Sequence, residues 1–565
     1  MKWIYNILLY VLLVAPAFAN AQDSLEVDSF IIVKEFRPSL SAAPKIRVNP
    51  EISDSQNLDV KVNYQFLNKE LPHDFDPESI KAAKLKGEPL VKLYRNYFIL
   101  GYGNNATPIA EFYYNQLRSK KSSIGVYGKH FSSTGIKDIE NSNFSNNALG
   151  ISASRYSRKY TIGGRLDYRY DAMNYYGYDE TRAIFGLNDQ LNSVNLSDLN
   201  ENVGQNYNRF KAIATFGNNQ RDTAGLRHYS EASYSYLADR YESSESRFTL
   251  LQSYSLVHTS QILTLDWALD YNKLTDGSRW SISQYSKENT IFMIEPGIDL
   301  RGKNWRLEGA FKVAAEFDVE TSYYLYPKVD FKYNLVKSII VPYIGITGDL
   351  NRNSYSSFTD ENPFVGSAIP LKNSNQSFMG YAGIRGHLSK NTSFNVSLSQ
   401  QTVKDLPLYV KDTSNLESRS FTVIYDEVDI TEFKAELIYE PIERWRLVIS
   451  GSYFIYDAKN ELQAWHKPQY RLSALTTYML GDKIKAEILL YLIGEQSAKV
   501  YLPRGLAGYE TLKGTTDINL NLEYRYSKRI AVFLDFNNIA AIKYEKWQDY
   551  PTQSLNVLGG FRFGF

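Results

Sequence analysis

Residues 554–565 read Ser-Leu-Asn-Val-Leu-Gly-Gly-Phe-Arg-Phe-Gly-Phe, and this stretch decides the fold. Side chains of a β-strand point to alternate faces, so every second residue shares a face. One face of this stretch is apolar, and it comprises Leu555, Val557, Phe561, Phe563 and Phe565. The other face is polar or small, and it comprises Ser554, Asn556, Gly560, Arg562 and Gly564. The pattern predicts a strand of a membrane barrel or, as the alternative, a strand of a soluble sandwich.

Residues 1–21 have the features of a secretory signal peptide. Lys2 supplies the positive start, Ile4–Val14 the apolar core and Ala19–Ala21 the small-x-small cleavage pattern, which leaves Gln22 first in the mature chain. The alternative, an uncleaved anchor helix, is disfavoured because the apolar core is shorter than the roughly 20 residues that a membrane helix needs. No later run is long enough either, so a closed barrel is the remaining way into a membrane.

Composition excludes several kinds of site. The 565 residues carry a net charge of +1, which does not indicate a nucleic-acid partner. There is no Cys, and so no disulfide, thiolate metal site or Cys nucleophile. Tyr is abundant, with 45 copies, and its apolar ring and polar tip suit the interface between a bilayer and water.

From Arg95 onward, alternating segments of about ten residues are separated by short turns at one end and longer loops at the other, as in outer-membrane barrels. Ala172–Gln205 and Asn351–Gln376 are the longest predicted loops, and Glu417–Glu440 is predicted as one long strand that projects beyond the bilayer. The predicted short turns are Arg118–Ser122, Ser157–Lys159, Gly217–Thr223, His258–Gln261, Gly302–Asn304, Val336–Ser338, Ser389–Thr392, Pro441–Arg444, Gly481–Lys483 and Ser527–Arg529.

The polar face of these segments is charged. In the segment from Trp305, an apolar face opposes Arg306, Glu308, Lys312 and Glu316. Bare charges in a dry core cost several kcal/mol, so this face predicts a wet or protein-filled lumen in which cations such as Arg525 and Arg562 pair with neighbouring acids. Separate soluble sandwiches would explain each strand but not the regular alternation of short and long connections.

The predicted fold is therefore all-β: a closed antiparallel transmembrane β-barrel of about 22 strands over residues 95–565. The first and the last strand of the barrel both have their free ends on the periplasmic side, and the outside of the barrel contacts the lipid of the outer membrane. Residues 22–94 contain six prolines and too few apolar residues for a substantial core. We predict that they form a short irregular segment in the periplasm or the lumen.

No pattern of catalysis or metal binding is present. The six His form no H-x-H or H-E-x-x-H pair, and no G-x-S-x-G or phosphate-binding loop occurs. We therefore predict no enzyme activity, no cofactor and no metal site. His466 is expected in an outer loop or at a strand edge.

The sequence resembles the barrel of TonB-dependent receptors, especially those of Bacteroidota. The most specific marker is Asn537-Asn538 followed, after four intervening residues, by Lys543-Tyr544, just before the last strand. Tyr97–Phe112 resembles the first hairpin of such barrels. Further matching stretches are Tyr425–Asp429, Phe433–Tyr439, Trp445–Asp457, Ala464–Pro468, Trp547–Pro551 and Asn556–Gly560. The resemblance covers about residues 95–565, and it implies a barrel of 22 strands. A terminal aromatic strand also resembles the assembly signal of outer-membrane proteins.

Family members carry a plug domain of well over a hundred residues before the barrel, whereas only Gln22–Tyr94 is available here. We therefore expect no complete plug, and the lumen to be filled by this segment, by inward-folded loops or by a partner. The run Asp28, Ser29, Phe30, Ile31, Ile32 and Val33 resembles a TonB box, a short strand that pairs with the energy-coupling protein TonB. The alternative is a strand lying against the interior of the barrel.

Two functions follow from this interpretation. The first is transport of a solute across the outer membrane, with TonB or other envelope proteins engaged through the N-terminal segment. The second is a non-transporting barrel subunit of an envelope assembly. A barrel enzyme is the least favoured, because no nucleophile and His pattern is present.

Overall fold

The computed structural model describes residues 93–177, 203–219, 225–258, 261–277, 286–336, 339–412, 419–501 and 507–565. The predicted signal peptide, the segment 22–92 and Asp28–Val33 lie outside the described residues. The strands are β1 Asn96–Gly103, β2 Thr107–Asn115, β3 Ser122–Ser133, β4 Phe144–Tyr156, β5 Tyr160–Asn174, β6 Gly204–Asn218, β7 Arg227–Asp239, β8 Ser244–His258, β9 Gln261–Thr275, β10 Ser286–Arg301, β11 Trp305–Phe317, β12 Thr321–Tyr333, β13 Ile340–Asn351, β14 Ser374–Ser389, β15 Thr392–Lys411, β16 Phe421–Ile442, β17 Trp445–Ala458, β18 Tyr470–Leu480, β19 Ile484–Ile493, β20 Gln496–Tyr501, β21 Ala507–Leu512, β22 Thr515–Arg525, β23 Ile530–Asn537, β24 Glu545–Trp547, β25 Tyr550–Pro551 and β26 Asn556–Gly564.

In the described part of the chain, 22 of these strands form one antiparallel sheet that closes on itself. Each strand pairs with its neighbours in chain order, and β1 pairs with both β2 and β26, which joins the two ends. The strand pairs β20–β21 and β24–β25 are separate hairpins inside two connections. The predicted closed barrel and its strand number are confirmed.

The ten short turns predicted from the sequence all fall at connections between consecutive barrel strands, and they lie at one end of the barrel. The predicted long strand corresponds to β16, which has 22 residues. The expectation that every opposite connection is long is wrong at three places. The connections β1–β2, β7–β8 and β11–β12 have only three or four residues. The β1–β2 connection makes a tight turn because Asn105 and Ala106 adopt left-handed backbone angles.

Cross-strand partners share a face, so the register separates the outside of the barrel from its lumen. The apolar side chains predicted for one face of the last strand are exposed on the outside, with Phe561 62% exposed. Exposed aromatic residues form a girdle near each end, as in a barrel surrounded by lipid. The girdle at the short-turn end comprises Tyr160, Trp305, Tyr333, Trp445, Tyr478, Tyr524 and Phe565. The other comprises Tyr102, Tyr168, Phe210, Tyr236, Phe248, Phe317, Tyr323, Phe378, Tyr453 and Tyr470.

Tyrosines on the lumenal face pack flat on glycines of the next strand. A Cβ on Gly383 would lie 2.4 Å from the Tyr343 ring, whose hydroxyl donates to Asn395 one strand further on, at 2.8 Å. The same arrangement places Tyr381 over Gly345 and Tyr127 over Gly150, with hydroxyls reaching Asp330 and Asp167. Each such tyrosine ties three strands together, because its ring fills the place of a missing side chain and its tip forms a hydrogen bond beyond it.

Candidate functional site: the outer end of the barrel

The connection between β13 and β14, residues 352–373, folds inward, and we call it the lid. It contains α1, Tyr355–Glu361, the one helix among the residues that the structure describes. The helix starts at Ser354, whose Oγ accepts from the amide of Ser357 while the Ser357 hydroxyl accepts from the amide of Ser354. This reciprocal cap satisfies two amides that a helix start leaves without partners.

The first turn of α1 is bound to the wall formed by β6–β8. Glu245 is buried, and its carboxylate accepts from the amides of Tyr355 and Ser356, both at 2.8 Å. The Tyr355 hydroxyl donates to Asp239 at 2.8 Å, and burial raises the pKa of Tyr355 well above its usual value. The phenol therefore remains a donor. Arg209 donates to Thr359 of the helix at 2.8 Å.

The other side of the lid is bound to β15 and β16. The Tyr409 hydroxyl donates to Glu361 at 2.8 Å. Val365 forms a parallel bridge with Phe421, where the Gly366 amide donates to the Phe421 carbonyl at 2.8 Å. The Tyr425 hydroxyl donates to a lid carbonyl, that of Pro370, at 2.8 Å. The lid therefore contacts walls that are many strands apart in the sheet.

A second connection, between β23 and β26, meets the lid over the opening. Its hairpin β24–β25 presents Tyr550, whose ring stacks on Phe364 of the lid with 3.7 Å between centroids. Six strands separate β14 from β23 on the shorter way around the barrel. The buried apolar cluster that joins lid, hairpin and walls comprises Tyr207, Leu237, Leu274, Tyr355, Phe358, Val365, Ile369, Leu371, Tyr409, Phe421, Val423, Trp547 and Tyr550. The outer end of the barrel is therefore covered by its own connections.

His466 lies beside this cluster, in the connection between β17 and β18, as expected for an outer loop. Its ring is buried against Phe421 and Trp547, and among the described residues neither ring nitrogen has a hydrogen-bond partner. Burial, with smaller effects from Lys411 and Lys467, lowers its pKa to about 3. The imidazole is therefore neutral at physiological pH, in an apolar position.

The lumenal wall is charged, and many of its charges are paired. Asp299 lies 2.8 Å from Arg301 and 3.0 Å from Arg306. Arg525 and Arg562 both pair with Glu523, which confirms the predicted pairing of these two cations. Paired charges make a polar wall without a large net field, so the lumen is suited to water and polar solutes.

No described group of three His, Asp or Glu side chains is arranged to hold a metal ion. Within the described ranges, no helix is long and apolar enough to cross a membrane. The sequence predicted Asn351–Gln376 as a long loop and offered inward-folded loops as one filling of the lumen, but it did not identify helix α1 or the anchors Asp239 and Glu245. The signal that could have revealed the lid is its apolar content, since Tyr355, Phe358 and Val365 are unusual in a loop exposed to water.

A scan against models of protein families found no match, and a search of curated proteins found none. Solved structures are similar over most of the chain. The FrpB iron transporter from Neisseria meningitidis has a TM-score of 0.65 at 8% identity, covering 84% of this chain and 82% of that one. The siderophore receptor PirA from Acinetobacter baumannii has a TM-score of 0.63 at 10% identity, covering 85% and 81%.

The ferric-catecholate import receptor Fiu from E. coli K12 has a TM-score of 0.62 at 10% identity, covering 84% of this chain and 82% of that one. These proteins are receptors and transporters rather than enzymes, which fits the predicted non-enzyme. At such low identity the likeness establishes the fold. The chain therefore has the 22-stranded barrel fold of TonB-dependent receptors for siderophores and metals, and it lies in the outer membrane.

Proposed function

We propose that this protein takes part in the transport of a solute across the outer membrane, and that the lid is its outer gate. The observation that carries the proposal is the way the lid closes a polar lumen. It is held by separate hydrogen bonds, ion pairs and ring contacts to distant walls. Each hydrogen bond contributes only ~1 kcal/mol net, so a ligand or partner that competes for them can release the lid.

The gate is tested with a disulfide, because the chain has no Cys of its own. Val365 and Phe421 are partners in a parallel bridge, and neighbouring strands lie about 4.8 Å apart, within the range that a disulfide spans. We expect the reduced Val365→Cys/Phe421→Cys protein to conduct in planar bilayers and the oxidised protein to be silent. Val365→Cys alone is the matched control, and its conductance should change neither with the oxidant nor with the reductant.

Energy coupling is the second part of the proposal. Asp28–Val33 would offer unpaired backbone groups for strand addition to TonB. Deleting these six residues should abolish uptake while leaving the amount of barrel in the outer membrane unchanged. Unchanged uptake and growth after the deletion would remove energy coupling from the proposal but would leave the gate standing. The lack of a complete plug remains a prediction of the sequence.

The alternative function, a non-transporting subunit of an envelope assembly, is favoured by one observation. The lid and hairpin share a buried cluster of thirteen apolar residues, which resembles a permanent seal more than a movable gate. Bilayers that stay silent with wild type and with reduced double variant, together with stable co-purification of other envelope proteins, would support this role and overturn transport.

A further inference from the structure

The boundary between β12 and β13 has the shortest ladder in the described barrel. The ladder has four residue pairs and ends at Val329 and Ile346, whereas β12 pairs with β11 at thirteen positions and β13 with β14 at eleven. In the described strands, residues 321–328 and 347–351 therefore face each other without a ladder, and we call this stretch the outer boundary. Tyr323 of the outer girdle lies six residues above Val329, and six residues of a tilted strand cross about half of the bilayer core. The outer boundary therefore lies in the outer leaflet.

The local sequence explains why the ladder ends. Pro327 has no amide hydrogen to donate to a neighbouring strand. On the other side, the register of β13 against β14 shifts between Thr347 and Asp349, as at a β-bulge. The residue between them, Gly348, leaves room for the Tyr326 ring, because a Cβ at this glycine would lie 2.6 Å from the ring. A side chain therefore fills the place where backbone pairing would continue.

Side chains on the lumenal side hold the outer boundary together. The Tyr326 hydroxyl of β12 passes β13 and donates to Asn375 of β14 at 2.8 Å. Lys312 of β11 passes β12 and pairs with Asp349 of β13 at 2.9 Å. These contacts are individually weak, so the two strands can separate here without the loss of a continuous ladder.

The lid crosses the same boundary at both of its ends. Arg352 directly follows β13, and its guanidinium donates to the Asp270 carbonyl of β9 at 2.8 Å. Asn373 directly precedes β14, and its side chain donates to Glu316 of β11 at 2.7 Å. Because β13, the lid and β14 are continuous in the chain, release of the lid removes both contacts and loosens the outer boundary.

Both sides of the outer boundary are apolar. Towards the lipid, Tyr323 is 73% exposed and Leu325 is 64% exposed. Behind the boundary lies a buried apolar cluster, which comprises Ile291, Ala314, Tyr326 and Leu350, with Met293 and Tyr324 packed against it. An apolar chain fits between such surfaces at little cost, whereas a polar group that moved from the lumen into hydrocarbon would lose its hydrogen bonds.

We propose that the outer boundary is a lateral passage that opens with the lid and admits an acyl chain, or a similar apolar tail, between the lumen and the outer leaflet. The inference rests on the proposed role of the lid as a gate, and it narrows the solute to an amphiphile. The polar part of such a molecule would remain in the charged lumen while its apolar tail lies in the boundary.

The test measures how fast a thiol behind the boundary reacts with a reagent carried by lipid. The full chain, which has no Cys of its own, is placed in nanodiscs that contain a phospholipid with a maleimide at the end of one acyl chain. Met293→Cys places the thiol behind the boundary, and Ser233→Cys places it at a similar depth on the lumenal face of β7. We expect Met293→Cys to react and Ser233→Cys to remain unlabelled. Glu245→Gln, which loosens the lid, should raise the rate at Met293→Cys by more than about tenfold.

Two substitutions act on the boundary rather than on the lid. Asp349→Asn removes the ion pair across the boundary, and Tyr326→Phe removes the hydroxyl that crosses it. Each should raise the rate at Met293→Cys about fivefold, without changing the rate at which a water-soluble maleimide labels Val365→Cys in the lid. Glu308→Gln is the matched control, because Glu308 pairs with a cation of its own strand, and it should change neither rate.

The outcomes separate the passage from the gate. Equal reaction of Met293→Cys and Ser233→Cys would show that lipid reaches the lumen by another route and would overturn the passage. Reaction at Met293→Cys only with a water-soluble fatty-acid maleimide would place entry at the lid and also overturn it. If Glu245→Gln accelerates labelling of Val365→Cys but not the lipid reaction at Met293→Cys, the passage is refuted and the gate stands. If it accelerates neither, the gate itself is refuted.

Discussion

Replacing Glu245 by Gln should loosen the lid. The Glu245 carboxylate accepts from two amides of α1 and from the Asn272 side chain at 3.0 Å, so both of its oxygens are occupied. The Gln side chain keeps one acceptor oxygen, but its NH₂ group replaces the other oxygen and would face a backbone N–H, so two donors would oppose each other. The loss of one charge-assisted hydrogen bond and the burial of an unpaired amide cost roughly 2–3 kcal/mol. That cost should raise the open population of the lid about 30- to 150-fold.

The opening is measured as the labelling rate of one cysteine in the lid that is buried when the lid is closed. Val365 is fully buried, has an apolar side chain and is close to Cys in size, so Val365→Cys reports exposure with little disturbance. The barrel is held in nanodiscs and treated with a membrane-impermeant maleimide. When opening and closing are faster than labelling, the rate is proportional to the open population, and it should rise by the same factor in the Glu245→Gln background.

Glu231→Gln is the matched control, because Glu231 also lies on the lumenal face but its recorded partner is Tyr229 of the same strand. It should leave the labelling rate unchanged. Equal rates in wild type, Glu245→Gln and Glu231→Gln would show that the carboxylate does not hold the helix. Equal acceleration by both substitutions would show that any lost lumenal charge loosens the barrel.

Other substitutions test further parts of the structure. Gly383→Ala should lower the heat-denaturation temperature, because the new Cβ would lie 2.4 Å from a tyrosine ring and overpacking costs ~1–3 kcal/mol. Gly128 faces outward and has room for a Cβ, so Gly128→Ala should leave that temperature unchanged. The open population of the lid should grow about tenfold per pH unit as the pH falls from 6.5 towards 4.5, because His466 is protonated in the open form, whereas burial lowers its pKa to about 3 in the closed form. His466→Phe should remove this part of the pH dependence. The labelling rate is normalised to that of an exposed cysteine at each pH. Phe565→Ala should reduce the amount of assembled barrel in outer-membrane fractions, because the ring stacks on Phe98 at the seam, 5.9 Å away.

The barrel could be predicted because its signals are local. The alternation in β26 places every second side chain in lipid, so the pattern is legible within ten residues. Short turns such as Ser157–Lys159 can be recognised because they consist of polar residues between two runs of alternating hydrophobicity. The pairing of Arg562 with Glu523 could also be expected, since both lie on the lumenal face of strands near the C-terminus.

The lid could not be predicted in the same way. Glu245 and the helix it holds are more than a hundred residues apart, and neither carries a local sign of the other. A seven-residue helix is too short to show an amphipathic period, and its cap uses Ser357 where the more common pattern has Glu or Gln. The short outer turns β7–β8 and β11–β12 were missed for a related reason, because residues 240–243 and 318–320 contain no Gly, Asn or Pro to signal a turn.

The abundance of tyrosine has a second cause besides the bilayer interface. Five tyrosines connect the lid to its surroundings through their hydroxyls: Tyr175, Tyr207, Tyr355, Tyr409 and Tyr425. Phenylalanine would remove these hydrogen bonds, and lysine would lose more conformational entropy on being fixed. At ~1 kcal/mol each, the five hydroxyls contribute about 5 kcal/mol to the closed state. Reversing a closed-to-open ratio of 99:1 takes about 5.5 kcal/mol, and a ligand that binds only the open form supplies this at a concentration about 10⁴ times its Kd, so a ligand with nanomolar affinity releases the lid at about 10 μM.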